Sequence, residues 1–573
     1  MSLRTIIFGS CLLFACDTAE SPQCPMGSSE TQAGVCTPTP KAGGVVVRVN
    51  SVGFVPGTPK QATYAGPAST FVIRRADGGK HPEDDPVVFP DTPGDVGPAL
   101  TASDSGELEV HVVDFSDLNV PGEYYVAVDG VGTSEHFRIG DDVFVEPLHA
   151  AMLGMYGWRC GTAVSFDWEG QAFAHGACHL HDDPALGGWH DAGDYGKYTN
   201  NGSFALGMLL LAWDHFRDRL EKVTLAVPEQ DNGIPDYLDE CSYQLGWLLG
   251  MQSDDGSVSD RQTAENFDPL ATMPEASTAP RRLSNASTKA TADFAAVAAH
   301  AARVFREFDP DLALRSEQAA AKAWQFLRAN TTPIPPPASG FTGSYSGDSD
   351  LDDRFWAAAE VFETTGDKDA LAAFETMSTS FAVAANWDWD NVANLGIFTY
   401  LGSTQDGRDE AVGKRLTLAL ENTAGMLASS AEVHPYGRSL GAYYNWGVNG
   451  TIARTALVLV TASRIDADNS RRYLDAVSTQ LGHLFGRNYY GRSFVTGVGA
   501  KPPLHPHHRP SIADGIEPPW PGLLVGGPSK SDQAPATVWQ DDAADYTSNE
   551  VAINWNAPLI YALAAFQPTG EVP

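Results

Sequence analysis

The hydrophobic pattern of the chain changes its period near residue 140, and this change limits the possible folds most strongly. Between residues 45 and 139, short runs of β-branched and aromatic residues, such as 108–113 and 123–128, alternate with Gly, Pro and Asp turns. Short strands with frequent turns are typical of an antiparallel β-sandwich. We therefore expect a small sandwich at residues 44–140.

Longer helical segments follow from about residue 145. In the segments 203–218, 291–308 and 312–329, apolar residues recur at the spacing of one helix face. Serial helices of this kind bury their apolar faces by packing in pairs, and functional residues then lie in the loops between them. The pattern predicts a second domain, residues 141–573, of paired helices wound into a barrel.

The residues before the sandwich are typical of an exported chain. Residues 6–15 form an apolar run that is too short to span a bilayer as a mature helix, and Cys16 follows it. The tetrapeptide Leu-Phe-Ala-Cys at this point resembles a bacterial lipobox. We expect a lipoprotein-type signal peptide at residues 1–16 and a cell-envelope protein that faces the periplasm or the exterior; an ordinary signal peptide is the alternative. Residues 17–43 are rich in Ser, Thr, Pro and Gly, which indicates a flexible tether.

The chain carries 37 basic and 72 acidic residues, which give a formal charge of −35. Such a charge repels phosphate backbones and anionic headgroups, so nucleic acid is excluded as a partner and membrane contact is expected only through the lipid anchor.

Seven cysteines in 573 residues are too few for a disulfide scaffold. A hydrophobic content of 43% with 19% charged residues predicts folded domains with their own cores, in a chain that we expect to be monomeric.

Two carboxylates lie three residues apart in the segment 187–198, whose sequence is GGWHDAGDYGKY. The glycines beside Asp191 and Asp194 indicate a turn. Hydrolysis of an acetal needs a base on one face and an acid on the other, and paired carboxylates can hold and deprotonate a water molecule. An Asp-x-x-Asp turn can also cap a helix or bind calcium, and these alternatives stay open on the sequence alone.

A further carboxylate, Glu550, lies among aromatic and amide side chains in the segment 539–558. A glutamic acid in a partly apolar pocket can have its pKa raised enough to stay protonated and to donate to a leaving oxygen. A helix cap is the alternative. Between the two segments, residues 505–511 hold three histidines and an arginine without regular ligand spacing, which favours hydrogen bonds to sugar hydroxyls over metal binding.

These three segments resemble the signature regions of glycoside hydrolase family 9, and they occur in the order of that family. Further segments that resemble the family are 48–54, 232–236, 290–296, 391–396 and 486–488, so the resemblance covers nearly everything after the tether. The resemblance implies a multidomain protein, with an N-terminal immunoglobulin-like β-sandwich followed by an all-α (α/α)6 barrel. It also implies hydrolysis of β-1,4-glucosidic bonds in cellulose or related β-glucans with inversion of the anomeric carbon.

The matching motif positions imply a role for each residue of the site. Asp194 matches the general base, Asp191 the carboxylate that helps to orient the water, and Glu550 the general acid. The residues that match substrate-binding positions of the family are His507, Arg509 and Asp541.

Aromatic side chains near these motifs are candidates for sugar contacts. Glucan chains are flat with apolar faces, so a cleft that binds them needs aromatic platforms flanked by polar groups. Nine aromatic side chains lie near the matching motifs, and we expect about half of them to contact sugar: Trp168, Trp189, Tyr436, Tyr443, Tyr444, Trp446, Trp520, Trp539 and Tyr546. The four that we select are Trp189, Tyr436, Trp446 and Tyr546. We expect an endo-acting β-1,4-glucanase. The alternatives are an exo-acting cellobiosidase or a β-glucosidase-type enzyme on oligosaccharides, and a non-catalytic carbohydrate-binding lipoprotein.

Cys160, Cys178, His179 and His190 resemble the zinc ligands of the branch that bears the immunoglobulin-like domain. Two thiolates and two imidazoles suit tetrahedral zinc, and a closed site with four protein ligands is structural rather than catalytic. Because His190 directly precedes Asp191, the metal would brace the loop of the base. A disulfide between Cys160 and Cys178 is the alternative.

Two oxygen-rich loops resemble calcium-binding regions of the family, and carboxylate and amide oxygens are the ligands that calcium prefers. The first loop offers Glu229, Asp231, Asn232 and Asp236, and the second offers Asp350, Asp352, Asp353 and Asp390. Solvated acidic turns are the alternative for both loops.

Overall fold

A computed structural model describes residues 28–30, 36–38, 46–76, 84–182, 184–345, 347, 349–529 and 534–569 of the chain. The chain divides into two compact units, Met1–Val45 and Val46–Pro573. In the first unit, strands β1 (Ser28–Glu30) and β2 (Cys36–Pro38) pair antiparallel, so the stretch for which the sequence indicates a flexible tether contains regular structure. The expected signal peptide and Cys16 lie outside the described residues.

The second unit begins with a β-sandwich. Its strands are β3 (Arg48–Val49), β4 (Gly53–Phe54), β5 (Gln61–Ala65), β6 (Thr70–Arg75), β7 (Val87–Asp95), β8 (Leu100–Ala102), β9 (Glu107–Asp114), β10 (Gly122–Val128), β11 (Gly132–Thr133) and β12 (Phe137–Ile139). One sheet has the order β4-β12-β10-β6-β7 with β11 beside β10, and the other has the order β3-β5-β9-β8. Phe54, Phe115 and Phe137 pack between the sheets in one apolar core, with Phe54 edge-on to both other rings.

Helices dominate the rest of the unit. They are α1 (Val145–Gly157), α2 (Thr199–Leu220), α3 (Asp236–Gly250), α4 (Thr288–Phe305), α5 (Pro310–Ala329), α6 (Leu351–Thr365), α7 (Lys368–Met377), α8 (Ala393–Gly402), α9 (Glu410–Val433), α10 (Val448–Ile465), α11 (Ser470–Leu484), α12 (Arg509–Ala513), α13 (Tyr546–Asn549) and α14 (Ile553–Ala564). The hairpin β13 (Val164–Trp168) and β14 (Gln171–His175) and the small sheet of β15 (Lys197–Tyr198), β16 (Arg261–Thr263) and β17 (Arg282–Leu283) accompany them. The predicted order, strands and then helices, is confirmed.

The helices pack in pairs around a shared core. Helix α2 contacts α14 and α4, α4 contacts α6, α6 contacts α8, and α10 contacts α14. Each of these six helices also contacts a helix outside this group. The pairs are α14 with α1, α2 with α3, α4 with α5, α6 with α7, α8 with α9 and α10 with α11. Helix α4 is buried along nearly its whole length, since its many alanines let neighbouring helices pack closely and its buried Lys289 is paired with Asp353. None of the described helices is long and apolar enough to cross a bilayer.

The starts of neighbouring inner helices lie close together, and the segments that precede them hold the predicted site. Asn201, in the first turn of α2, lies 3.4 Å from Asn554, in the first turn of α14. The loop of Asp191 and Asp194 precedes α2, and Glu550 precedes α14. The unpaired N–H groups at helix starts carry partial positive charge, so this end of the bundle suits carboxylates.

Candidate active site

The loops of the predicted base and the predicted acid are joined by backbone hydrogen bonds. The amide of Ile553 donates to the carbonyl of Asp191 at 3.0 Å. His507 forms a parallel β-bridge with Glu550. The carbonyl of His507 lies against Gly193, and a Cβ added at residue 193 would come within 2.0 Å of that carbonyl oxygen. Only glycine fits at residue 193, because any side chain would push the two loops apart. Segments far apart in sequence thus form one site.

Asp191 is almost fully buried and both of its carboxylate oxygens accept hydrogen bonds. Tyr345 donates its hydroxyl to Oδ2 at 2.5 Å, and Asn201 donates its amide to Oδ1 at 2.7 Å. Burial, and then the nearby charge of Asp194, raises the pKa of Asp191 to about 8. Near neutral pH Asp191 therefore retains its proton, so it can hold a water molecule better than it can deprotonate one.

Asp194 lies beside Asp191 and has a cationic neighbour. Its Oδ2 accepts the amide of Gly196 at 3.1 Å. Burial raises the pKa of Asp194, while the charge of Arg509 acts in the opposite direction. When two carboxylates share a site, the one with the better-compensated charge ionises first. The positive charge of Arg509 offsets part of the effect of burial at Asp194, whereas the charge nearest Asp191 is that of Asp194 itself, so Asp194 is the better suited of the two to accept a proton.

Glu550 is partly buried and directly follows α13. Its backbone also forms a hydrogen bond to another loop. Gly526 donates its amide to the carbonyl of Glu550 at 2.9 Å. Burial, followed by the charges of Asp194 and Asp191, raises the pKa of Glu550 well above its ordinary value, and Arg509 offsets only part of this effect. A carboxyl group that stays protonated beside an ionised carboxylate can act as the acid while the other acts as the base.

Arg509 and Asp541 hold the site loops, whereas the sequence predicts that they bind substrate. The guanidinium of Arg509 is buried and donates to the carbonyl of Gly193 at 2.6 Å and to that of Asp268 at 2.8 and 3.1 Å. Asp541 pairs with Arg492 at 3.0 Å and accepts the amides of Leu504 and His505. The prediction for Asp541 is wrong, because both of its oxygens are used in these contacts. Arg509 keeps two of its five N–H donors outside these contacts, so its substrate contact stays a prediction.

His507 lies beside the exposed ring of Tyr546 and has a defined tautomer. Its Nδ1 lies 2.7 Å from the carbonyl of Ala543, which can only accept, so Nδ1 carries the proton. Burial lowers the pKa of His507, which keeps the ring neutral near pH 7. Its Nε2 is then an acceptor that a sugar hydroxyl can use, in agreement with the predicted substrate contact.

Two of the four predicted sugar platforms are exposed and two are buried. Trp446 and Tyr546 are 52% and 50% exposed and meet edge to face at 5.7 Å. Trp189 is 1% exposed, and its indole donates to Glu240 at 2.6 Å. Tyr436 is 2% exposed and donates its hydroxyl to Glu107 of the sandwich at 2.5 Å. The prediction is therefore wrong for Trp189 and Tyr436, because both are part of the protein interior.

Several residues of the site carry no sequence signal of their own. Tyr345 and Asn201 hold Asp191 but lie in segments that match no catalytic motif. Trp389 meets the ring of Tyr345 at 5.0 Å, and Phe267 is 56% exposed near the guanidinium of Arg509. The run Trp-Asp-Trp-Asp at residues 387–390 is the one local signal that could have indicated Trp389.

Cys160, Cys178, His179 and His190 converge on one point. Among the described residues, this is the group of His, Cys, Asp and Glu side chains whose ligand atoms all lie within 4.8 Å of one another. The two sulfur atoms are 4.0 Å apart, Cys160 lies 3.5 Å from His179, and Cys178 lies 3.8 Å from His190. Both cysteines are free, so the alternative of a disulfide is not realised. Ligands at about 2.0–2.3 Å from a tetrahedral zinc are about 3.3–3.8 Å apart, so this donor set fits zinc.

The calcium candidates do not form a comparable group among the described residues. Three of them are paired with cations: Glu229 with Arg159 at 2.9 Å, Asp350 with Arg354 at 3.0 Å and Asp353 with Lys289 at 2.9 Å. We withdraw Asp350 and Asp353 as ligands, because a paired and largely buried carboxylate is not open to a metal. The side chain of Glu229 is 34% exposed, so this residue stays a prediction. Asp236 and Asp352 each accept a backbone amide, from Leu225 and Val392. Asp231, Asn232 and Asp390 remain at the surface or close to it.

Comparison with known proteins shows which family the chain belongs to. Residues 144–563 match the model of glycosyl hydrolase family 9, and residues 43–133 match that of the cellulase N-terminal ig-like domain. Endoglucanase D of Acetivibrio thermocellus is 44% identical over 550 residues, which cover 92% of this chain and 84% of that protein.

Solved structures give the same result. A metagenome-derived glycoside hydrolase family 9 endoglucanase superposes with a TM-score of 0.82 at 33% identity, covering 91% of this chain and 99% of that one. A Zn-binding triple mutant of the family 9 endoglucanase J30 gives a TM-score of 0.83 at 31% identity, covering 90% of this chain and 100% of that one. The family model spans most of the chain, including every carboxylate of the site. The chain therefore belongs to glycosyl hydrolase family 9, with an immunoglobulin-like domain before its catalytic domain.

Proposed function

We propose that this protein hydrolyses β-1,4-glucosidic bonds in cellulose or related β-glucans by an inverting mechanism. The observation that carries the proposal is the meeting of three carboxyl groups with unequal proton affinities. Asp194 lies beside Arg509, Asp191 accepts a hydrogen bond from Tyr345, and Glu550 lies partly buried near both. A silent carbohydrate-binding protein needs no such acid and base pair.

The reaction follows from these protonation states. Asp194, with Asp191 helping to hold the water, takes a proton from that water as its oxygen attacks the anomeric carbon. Glu550 gives its proton to the leaving glycosidic oxygen, so the carbon–oxygen bond breaks as a neutral alcohol departs. Loss of the proton from Asp194 and reprotonation of Glu550 from solvent restore the starting state. Attack from the face opposite the leaving group inverts the anomeric carbon.

Endo action is the mode that we propose, since Endoglucanase D of Acetivibrio thermocellus is named for it and Trp446 and Tyr546 form an exposed aromatic wall. The alternative is exo action on chain ends or on oligosaccharides. Analysis of early products from a defined cello-oligosaccharide series and from soluble β-glucan tests this. We expect a mixture of internal fragments and a rapid fall in viscosity. Release of cellobiose or glucose alone from chain ends would favour the alternative.

We also propose that the helices close into an (α/α)6 barrel. The inner helices α2, α4, α6, α8, α10 and α14 each have an outer partner, and α14, the last of them, returns to contact α2, the first. Five of the six neighbouring pairs of inner helices are in contact, and between α8 and α10 the outer helix α9 contacts both, as a barrel of six inner and six outer helices predicts. Experimental coordinates with α14 remote from α2 would refute it.

Zinc is the metal that we propose for Cys160, Cys178, His179 and His190. Arg281 lies 3.8 Å from the sulfur of Cys160, and its positive charge favours the thiolate form that zinc requires. The amide of His190 donates to the carbonyl of Trp158 at 2.8 Å. This bond connects the segment directly before Asp191 to the segment that holds Cys160. When bound, the metal would brace the base loop and take no part in proton transfer.

The metal prediction is that the purified protein contains about one zinc per chain and that Cys178→Ser loses it. We expect its melting temperature to fall by about 5 °C or more, because metal binding stabilises only the folded state. Elemental analysis and thermal unfolding provide the measurements. Cys241→Ser is the control, since Cys241 is buried outside the cluster and should keep the zinc. A Cys160–Cys178 disulfide, or full zinc content in Cys178→Ser, would refute the assignment.

Calcium remains a proposal for the loop of Asp231, Asn232 and Asp236. The left-handed backbone at Asp231, with φ of 69°, and the amide of Ile234 bonded to Asn232 shape this loop tightly. The same elemental analysis tests it: calcium retained after dialysis and lost in Asp231→Asn supports the proposal, and its absence from both proteins rejects it.

A further inference from the structure

Asp104, in the turn between β8 and β9 of the sandwich, reaches into the helical domain. Its side chain is 3% exposed. Its Oδ2 accepts the hydroxyl of Tyr444 at 2.7 Å and lies 3.2 Å from Nε2 of His434 and 3.3 Å from Nη1 of Arg438. Burial alone would raise the pKa of Asp104, but the hydrogen bonds from His434 and Tyr444 and the charge of Arg438 hold it well below its ordinary value. The carboxylate is therefore ionised in this buried network.

Arg438 connects Asp104 to the loop that follows Arg438 in the sequence. Besides meeting Asp104, its guanidinium donates to the carbonyl of Gly441 at 2.6 Å and to that of Tyr443 at 2.8 Å. It also stacks on the ring of Tyr444 at 3.8 Å. A buried guanidinium needs a counter-charge, so the conformation of residues 441–444 depends on Asp104.

The same loop leads directly to the aromatic wall of the candidate cleft. Trp446 follows it and meets Tyr546 at 5.7 Å, and Tyr546 in turn meets His507 at 6.0 Å. His507 is bridged to Glu550. A continuous series of contacts therefore runs from Asp104 in the sandwich to the predicted acid.

A second contact of the turn reaches the segment before Glu550. The amide of Ala536 donates to the carbonyl of Asp104 at 2.9 Å, and the indole of Trp539 a few residues later donates to Asn549 at 3.0 Å. The turn of the sandwich thus holds two segments of the cleft, one through the carboxylate and one through the backbone.

We propose that Asp104 is a positioning residue for substrate binding: it fixes the loop 441–446 and so places Trp446 and Tyr546 against the glucan chain. This rests on the proposed function. A long glucan spans the wall and depends on its position, whereas a short aryl glycoside that occupies only the subsites beside Glu550 does not. The sandwich is then a working part of the cleft rather than a spacer.

Asp104→Asn tests the proposal, since it removes the charge and leaves the shape nearly unchanged. We expect KM for a long soluble β-glucan to rise about tenfold, while kcat for an aryl cellobioside changes by less than about twofold. Hydrogen exchange of the peptide containing residues 441–446 should become faster. Tyr444→Phe, which removes one donor to the same oxygen, should act in the same direction if Asp104→Asn fails to fold.

Glu135→Gln is the matched control. It removes the exposed ion pair with Lys501, at 2.7 Å, between the same two domains but away from residues 441–446. We expect no change in KM or in exchange. Equal exchange of 441–446 in Asp104→Asn and wild type, or equal losses on the long and the short substrate, would overturn the proposal. The exchange measurement needs no substrate, so a failure of the proposed function is seen separately, as a wild type that cleaves no β-glucan.

Discussion

Asp194→Ala is expected to lower turnover by about 10²- to 10⁴-fold on every β-glucan and on aryl glycosides alike. Removing the carboxylate removes the group that takes the proton from the attacking water, and every substrate needs that step. Arg509 also offsets part of the effect of burial on the pKa of Asp194, which suits this carboxylate to the role of base. Steady-state kinetics on a long and a short substrate, with circular dichroism to confirm the fold, provide the measurement.

Asp191→Ala is the natural control for this variant. Asp191 is bonded by Tyr345 and Asn201 and retains its proton near neutral pH, so we expect it to position the water without deprotonating it. Asp191→Ala should lose less activity than Asp194→Ala, since Asp194 can still deprotonate a poorly held water molecule. If Asp191→Ala were the more severe of the two on every substrate, the roles would be reversed.

Glu550→Gln is expected to divide substrates by their leaving groups. Activity on natural glucans should fall by about 10²- to 10⁴-fold, because an alkoxide is a poor leaving group without a proton. Activity on aryl glycosides with acidic phenols should fall by less than about tenfold, because such a group departs without protonation. The comparison needs both substrates in the same buffer.

The pH dependence of this variant supplies a second test. Glu550 acts in its protonated form, and burial raises its pKa well above the ordinary value. Activity of the wild type is therefore retained as the pH rises past the normal range of a glutamic acid, and it is lost as the pH passes the raised pKa. The wild type should show this loss on a natural glucan and a smaller loss on the aryl substrate, whose leaving group needs no proton, and Glu550→Gln should show none on the aryl substrate. Asp541→Asn is the control: it weakens the loop of His505 and should reduce both substrate types equally.

The sequence and the structure agree best where chemistry and local spacing coincide. The Asp-x-x-Asp turn, Glu550 with its aromatic and amide neighbours, and the four candidate metal ligands are all visible in the sequence, and the structure brings each set together. The change from strand to helix was visible too, because the period of the apolar residues differs between the two domains. The family motifs connected segments that are remote in sequence, which periodicity could not do.

The wrong predictions share a physical cause. Trp189 and Tyr436 lie close to functional motifs in sequence, but an aromatic side chain beside a site can point inward as easily as outward. Trp189 is turned toward buried Glu240, and Tyr436 is covered by the sandwich. The sequence does not reveal where the two domains meet, so it could not show that Tyr436 lies at their interface.

The acidic loops, and the two residues that donate hydrogen bonds to Asp191, could not be interpreted from the sequence for a similar reason. Asp353 looked like a calcium ligand until Lys289, from another helix, proved to be its partner. Tyr345 and Asn201 are isolated polar residues in sequence, and only the packing of α2 against the segment before α6 brings both to Asp191. Partners that come from separate elements leave no local pattern to detect.

Inversion at the anomeric carbon is tested most directly by following the first product of cello-oligosaccharide hydrolysis by ¹H NMR, before mutarotation. Asp194 as base and Glu550 as acid predict that the α-anomer is released first from the β-linked substrate. Initial release of the β-anomer would mean that a covalent intermediate forms. That result would contradict the roles assigned to both carboxylates.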